Sequence, residues 1–149
     1  SSAGKFGREN GMLFSILLEK LFPLFDIEYR KSYKTGTQQI DGHFKFDSFD
    51  YLVEAKWRKD QPNENEIGGF ERKVNTKFES TRGVFISING VRPEVVAQFN
   101  SKGSNILFVT GEDIVHILEG RIDLREALRC KIDKAAQEGL VYVSVSSIL

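Results

Sequence analysis

Residues 39–57 read QIDGHFKFDSFDYLVEAKW, and the pattern of this segment is the strongest indication of the fold. Between residues 40 and 46, apolar residues and a glycine alternate with polar residues, and a similar alternation runs from 51 to 57. Side chains two positions apart share one face of a strand, so each segment is predicted to be a strand with one buried face. The residues between them, Asp-Ser-Phe-Asp, are typical of a tight turn. The stretch therefore predicts a β-hairpin.

The register of this hairpin determines which side chains lie together. A turn centred after residue 47 places Asp41 opposite Glu54 and Gln39 opposite Lys56. Facing side chains point to the same side of the sheet, with Cβ atoms about 5 Å apart. Two carboxylates at that distance repel each other unless a cation lies between them. A slip by one residue would turn Asp41 to the other face, so the predicted site depends on this register.

The residue types match a metal-dependent hydrolytic site. Mg²⁺ takes about six oxygen ligands and is often held by one or two carboxylates together with water and phosphate oxygens. Asp41 and Glu54 are predicted to supply the carboxylates, and the backbone carbonyl of Ala55 is predicted to add a ligand. Lys56 is predicted to orient the attacking water, help to deprotonate it, or stabilise charge in the transition state. Gln39 is a further candidate, which would orient the ammonium group of Lys56 or a water.

A Glu-x-Lys tripeptide by itself has a simpler interpretation. About a quarter of the residues in an ordinary protein are charged, so such a tripeptide often occurs by chance. The alternative is a solvated ion pair at the end of a strand. The matched Asp41, the alternation of both strands and the helix–strand units that follow favour a functional site.

The rest of the chain predicts an α/β fold. An antiparallel hairpin followed by βαβ units indicates a mixed β-sheet flanked by helices on both faces. Residues 1–8 are expected to be a tag or a disordered N-terminus, and residues 9–149 a single domain cut from a larger protein. Helices are predicted over residues 9–22, 66–79, 93–100, 111–119 and 123–138, and further strands over residues 26–34, 83–88, 106–110 and 140–145.

The sequence resembles the PD-(D/E)xK nuclease superfamily and, within it, the Mrr-like catalytic domains of type IV restriction endonucleases. The resemblance covers most of residues 9–118 and rests on GMLF at 11–14, QIDG at 39–42, VEAKW at 53–57, GVFIS at 83–87 and NILFVT at 105–110. It implies a restriction-endonuclease-like fold and a Mg²⁺-dependent endodeoxyribonuclease, in which Mn²⁺ can substitute. It assigns metal and catalytic roles to Asp41, Glu54 and Lys56, and it implies a biological role in restriction or phage defence.

One position departs from the pattern of this family. Relatives often carry a glutamate directly after the phenylalanine of the first helix, as an extra ligand for metal or water, and this sequence has Ser15 there. Glu19 lies one turn later on the same side of a helix and is the preferred replacement. Glu9 is the other candidate, although it lies on a different side of a regular helix. Alternatively, Glu19 is a surface partner of Lys20 or Arg30.

Several basic residues near the predicted site are candidate contacts to the DNA backbone. They share a strand face with Asp41, follow the active-site strand or lie on the next helix: His43, Arg58, Lys59, Lys73 and Lys77. For each of them, a solvated surface position is the alternative interpretation.

Composition limits the classes of function. The chain has 21 basic and 21 acidic residues and therefore no net charge, which is not typical of a strong autonomous nucleic-acid binder. Additional domains or subunits are expected to supply DNA binding or regulation, and a homodimer is one possibility. The sequence holds no apolar run of membrane-spanning length and no signal peptide, and its single Cys130 suits a reducing cytoplasm.

The leading hypothesis is therefore metal-dependent hydrolysis of DNA phosphodiester bonds. A resolvase or repair nuclease with the same core is the first alternative. The second is a catalytically degenerate nuclease fold that binds nucleic acid or protein. The complete set of Asp41, Glu54 and Lys56 argues against degeneration, whereas Ser15 and the zero net charge argue for it.

Overall fold

The structure is a computed structural model that describes residues 2–32 and 39–149, with side chains described from residue 10 onward. Its helices are α1 (Ser2–Leu24), α2 (Glu64–Asn75), α3 (Pro93–Val96), α4 (Gly111–Leu118) and α5 (Leu124–Glu138). Its strands are β1 (Tyr29–Ser32), β2 (Gln39–Phe46), β3 (Phe49–Lys56), β4 (Arg82–Ser87) and β5 (Ile106–Thr110). Two short 3₁₀ segments are Ala97–Phe99 and Val145–Ile148.

The five described strands form one mixed sheet in the order β1-β2-β3-β4-β5. The pairs β1–β2 and β2–β3 are antiparallel, and the pairs β3–β4 and β4–β5 are parallel. Each parallel pair is joined by a crossover that contains a helix, as parallel neighbours require. The predicted α/β fold with a mixed sheet is confirmed.

The predicted register of the central hairpin is also confirmed. Asp41 lies opposite Glu54, and Gln39 lies opposite Lys56. Asp47 and Ser48 form the two-residue turn, with φ angles of 47° and 72°. Two left-handed residues in succession are typical of the hairpin turns whose twist matches that of the flanking strands.

Helices cover both faces of the sheet, and each face has its own apolar core. The core on the first face joins α1, α4 and α5 to the inward residues of β2 and β3, among them Phe44 and Val53. The core on the second face joins α2 and α3 to Phe85 and Phe108 of the parallel strands. Odd-numbered β2 residues and even-numbered β3 residues point to this second face. The carboxylates of the hairpin therefore lie on the face that carries α2.

Gly42 follows Asp41 and lets β1 pack closely against the hairpin. A Cβ atom at this position would overlap the hydroxyl and ring of Tyr29, whose ring stacks on Phe22 of α1 at a centroid distance of 4.8 Å. The Tyr29 hydroxyl is buried and has no hydrogen-bond partner in the described part of the chain. Burial raises the pKa of this phenol, and the negative charges of Glu19 and Asp41 raise it further.

We expect Gly42→Ala to lower the free energy of unfolding by about 1–3 kcal/mol, because the added methyl group must displace Tyr29. Tyr29→Phe is the matched variant, since it removes the hydroxyl that Gly42 faces. It is expected to raise stability by about 1 kcal/mol, because an unpaired buried hydroxyl is lost. Urea unfolding measures both changes. A Gly42→Ala protein as stable as the wild type would contradict the packing argument.

Several predicted helix boundaries differ from the observed ones. Helix α1 begins at Ser2, within the segment expected to be a tag or disordered, and Pro23 lies inside its last turn. Helix α2 begins before residue 66 because Asn63 caps it in a capping box with Glu66. It ends at Asn75, so residue 77 lies beyond the helix. The predicted helix over 93–100 is one turn of α3 followed by the 3₁₀ segment.

The prediction of a final strand over 140–145 was wrong. One backbone hydrogen bond links this segment to β5, from Phe108 N–H to the Val141 carbonyl. Two of its other polar groups bind buried side chains: the Val145 N–H donates to Asp113, and Lys131 donates to the Val143 carbonyl. Hydrogen bonds to side chains thus take the place of the backbone hydrogen-bond ladder that a strand would form.

The strand predicted over 26–34 is confirmed only as β1, Tyr29–Ser32, and residues 33 and 34 lie outside the described part. Within the described residues, no helix combines the length and the apolar character needed to cross a bilayer.

Candidate active site

Two buried carboxylates face each other across the hairpin. Asp41 of β2 and Glu54 of β3 are each only 7% exposed. The side-chain amide of Gln39 donates from its Nε2 atom to Asp41 Oδ1 at 2.8 Å and to Glu54 Oε1 at 3.1 Å. One nitrogen atom therefore lies within hydrogen-bond distance of both carboxylates, and the carboxylate oxygens converge on a single point.

Lys56 belongs to the same network. Its Nζ atom donates to Gln39 Oε1 at 2.8 Å and lies 3.8 Å from Glu54 Oε2. Gln39 thus contacts three charged side chains through one amide group, and this requires all four residues to share a face of the sheet. The structure brings together the residues that the sequence predicted for the centre of the site.

Helix α2 adds two charged side chains that reach this network. Glu66 lies 4.0 Å from Lys56 Nζ and 2.5 Å from an Nη atom of Arg58. Lys73, two turns later on α2, places its Nζ atom 3.6 Å from Asp41 Oδ2. Side chains seven positions apart lie near the same side of a helix, so one helix face delivers an anion and a cation.

Sequence reasoning missed Glu66. Its position three residues after Asn63 is a recognisable capping box, and both bonds of that box are present. A capping role does not indicate contact with Lys56, because the contact depends on how α2 docks on the sheet. Lys73 was predicted as a DNA contact, and its proximity to Asp41 was not foreseen.

The charges of the described cluster cancel. Three carboxylates and three cations meet there: Asp41, Glu54 and Glu66 with Lys56, Arg58 and Lys73. The hydrogen bond from Arg58 is the main cause that lowers the pKa of Glu66 below its usual value. Glu66 therefore remains an anion beside Lys56 into mildly acidic solution.

The other predicted DNA contacts lie away from the carboxylates or face solvent. His43 shares the face of Asp41, but its ring nitrogen Nε2 lies 3.0 Å from Asp50 Oδ1, towards the hairpin turn. Lys59 is exposed in the loop after β3. Lys77 is exposed beyond the end of α2, so it does not lie on the helix as the sequence predicted.

Glu19 has a different partner from those considered in the sequence. Its carboxylate lies 2.9 Å from the ammonium group of Lys31 on β1. Lys31 pairs with Gly42 of β2, and even-numbered β2 residues point to the face covered by α1. Glu19 is therefore engaged on the face opposite to Asp41 and Glu54, and we leave it out of the proposed site. The side chain of Glu9 lies outside the described residues.

Asp41 and Glu54 are the residues that could hold a divalent metal. Among the described residues, no group of three or more His, Cys, Asp or Glu side chains forms a metal-binding cluster. Two convergent carboxylates nevertheless match Mg²⁺, which usually completes its coordination with water and phosphate oxygens. The backbone carbonyl of Ala55, a fully buried residue between Glu54 and Lys56, stays a predicted third ligand.

Comparison with known proteins bears on this site. A family model, Mrr_cat, described as a restriction endonuclease, matches residues 8–118, which are 111 of the 149 residues. The matched region contains α1 from residue 8 onward, all five described strands and the complete cluster around Gln39. No curated protein and no solved structure matches the chain.

Proposed function

The chain belongs to the Mrr_cat restriction endonuclease family and is a restriction-endonuclease-like nuclease domain, and we propose that it hydrolyses DNA phosphodiester bonds with the help of a divalent metal. The observation that carries the proposal is the Gln39 network. It holds two buried carboxylates and one ammonium group at a single point of the sheet face. A solvated ion pair at a strand end would not need two buried acids.

Asp41 and Glu54 are proposed to bind the metal, which is Mg²⁺ with Mn²⁺ as a substitute. When bound, such an ion acts as a Lewis acid that activates water and neutralises charge on the phosphate. In the hydrolysis, the water oxygen bonds to phosphorus and one P–O ester bond breaks.

Lys56 is proposed to stabilise the negative charge that develops on the phosphate oxygens during attack. Its ammonium group is held by Gln39 and Glu54, so it is oriented before DNA binds. Gln39 acts as a positioning residue, because it fixes both the ammonium group and the carboxylates. Lys73 lies at the solvent side of Asp41 with 40% of its side chain exposed, and we propose that it contacts a backbone phosphate.

Glu66 is proposed as a second positioning residue, because it links Lys56 to Arg58. We expect Glu66→Gln to reduce the cleavage rate about 10-fold or more, as loss of a supporting partner commonly does, with DNA affinity within a few-fold. A lowered pKa means that the stability contributed by the Glu66 carboxylate is present at neutral pH and is lost as the pH falls through the folded-state pKa. Acid unfolding of the variant should therefore lack this contribution.

A cleavage assay and pH-dependent unfolding together check the role of Glu66. Glu71→Gln is the control, because Glu71 is another α2 carboxylate but binds Ser104. If Glu66→Gln and Glu71→Gln cleave equally well, Glu66 does not position Lys56.

The chain has no net charge, which is not typical of a strong autonomous nucleic-acid binder. We propose that additional domains or subunits, or a homodimer, add to the DNA contacts that this domain makes. We also propose a cytoplasmic role in restriction or phage defence, which the family match supports, and a resolvase or repair nuclease with the same chemistry is the alternative.

Incubation of plasmid DNA with the protein tests the proposed function. Cleavage is expected with Mg²⁺ or Mn²⁺ and not with EDTA. Binding of DNA without cleavage under any of these conditions would instead support a catalytically degenerate module. That second candidate is favoured by Ser15 at the position of a family glutamate and by the engagement of Glu19 with Lys31.

A further inference from the structure

A polar groove opens beside the catalytic cluster. It has a volume of about 470 Å³ and is lined by Lys59, Asp60, Gln61, Asn89 and Arg92. Its two walls are the loops that follow β3 and β4. These strands are parallel neighbours, so both loops leave the same edge of the sheet, the edge at which β3 delivers Lys56.

Hydrogen bonds between side chains and backbone fix the two walls to each other. Gln61 Nε2 donates to the Asn89 carbonyl at 3.0 Å, and Asn89 Nδ2 donates to the Lys59 carbonyl. Arg58 Nε donates to the Asp60 carbonyl at 3.2 Å. Three loop carbonyls thereby accept hydrogen bonds from side chains, and the two bonds that link the loops give the groove a defined shape.

The charged groups that remain for a ligand are mainly cationic. Lys59 and Arg92 are exposed, and no ion pair involves either of them within the described residues. Asp60 is the acidic member of the lining, so the groove has a net charge of +1 from two cations and one carboxylate. A groove of this kind favours an anion, and the planar guanidinium of Arg92 suits a phosphate group.

The groove is close to the proposed catalytic centre. Lys59 follows Lys56 by three residues, so the two backbones are at most about 10 Å apart. The Ile88 N–H donates to the Lys56 carbonyl at 3.3 Å, which attaches the second wall to the end of the catalytic strand. Phosphates of one DNA strand follow each other with an axial rise of about 3.4 Å. A strand placed over Lys56 would therefore reach the groove within a few nucleotides.

We propose that this groove binds the DNA backbone next to the scissile phosphate, with Lys59 and Arg92 each contacting a phosphate. The inference rests on the proposed function and adds a substrate contact, because Arg92 lies 36 positions after Lys56 and no sequence motif marks it. The contacts are to phosphates, so they should raise affinity without reading sequence.

The test compares binding of a fluorescent DNA duplex at several salt concentrations, in EDTA, for the wild type and for Lys59→Gln/Arg92→Gln. The double variant should bind about 10-fold or more weakly at low salt. The slope of log affinity against log salt concentration should fall by about two, one for each phosphate contact. Lys20→Gln/Lys102→Gln is the matched control. Both lysines are exposed, Lys20 on α1 and Lys102 at the end of the sheet opposite to the groove.

The proposal would be overturned by a salt slope equal to that of the wild type, or by the same loss of affinity in the control variant. A wild-type protein that binds no duplex would also overturn it. Failure of the proposed function gives a different result. The double variant would still show the altered salt slope, but the wild type would leave plasmid uncut with Mg²⁺ and Mn²⁺.

Discussion

Replacing Asp41 with alanine is expected to abolish metal binding and to lower DNA cleavage by about 10³-fold or more. Asp41 supplies one of two convergent carboxylates, and a single remaining carboxylate holds Mg²⁺ weakly. The metal contributes several kcal/mol of charge stabilisation, and each 1.4 kcal/mol is worth a factor of ten in rate. Calorimetric titration with Mn²⁺ measures the binding, and single-turnover cleavage measures the rate.

Asp50→Asn is the matched control for this loss. Asp50 lies on the same strand face as Glu54, four residues nearer to the turn, and it contacts His43. The control should keep Mn²⁺ binding and cleavage, whereas Asp41→Asn should lose both while keeping the shape of the side chain. Equal Mn²⁺ binding by the wild type and by Asp41→Ala would show that the metal is held elsewhere.

Lys56→Ala is expected to lose cleavage by about 10²-fold or more while its DNA affinity stays within a few-fold. The Lys56 side chain is only 14% exposed, and its ammonium group is directed by Gln39 and Glu54 towards the carboxylates. Its charge therefore acts mainly on the reacting phosphate, where a preorganised cation contributes to the transition state. DNA affinity is supplied mainly by more exposed cations, so removing this ammonium group should lower the affinity only slightly.

Single-turnover kinetics at saturating DNA, together with a binding titration in EDTA, separate the two effects of Lys56→Ala. Lys45→Ala is the control, because Lys45 is an exposed lysine on the same face of β2. A Lys56→Ala protein that cleaves normally would refute the catalytic role. A variant that loses affinity as steeply as it loses rate would make Lys56 a binding residue instead.

The hairpin and its register could be predicted from the sequence because both depend on neighbours in the chain. Alternation with a period of two decides which side chains share a face, and a short turn decides which residues are opposite. Asp41, Glu54, Gln39 and Lys56 all lie within 18 consecutive residues. The composition of the later strands likewise predicted the mixed sheet, since buried parallel strands are continuous apolar runs.

The turn shows where local reasoning reaches its limit. Asp47-Ser48 lacks the Asn-Gly pattern that favours two left-handed residues. Arg129 of α5 donates to the Asp47 carboxylate at 3.3 Å, across 82 positions of sequence, and Arg125 lies 3.9 Å from it. Tertiary contacts thus support a turn that its own residues do not strongly specify.

The α/β class and the four-residue centre of the candidate site could be predicted from the sequence, because strand alternation and pairing act over a few residues. Packing of distant elements brings Glu66 and Lys73 to that centre and pairs Glu19 with Lys31. It also decides that the last segment binds the side chains of Asp113 and Lys131 rather than a strand. Each of these contacts depends on how a helix is placed and rotated on the sheet, and packing across the whole core determines that placement.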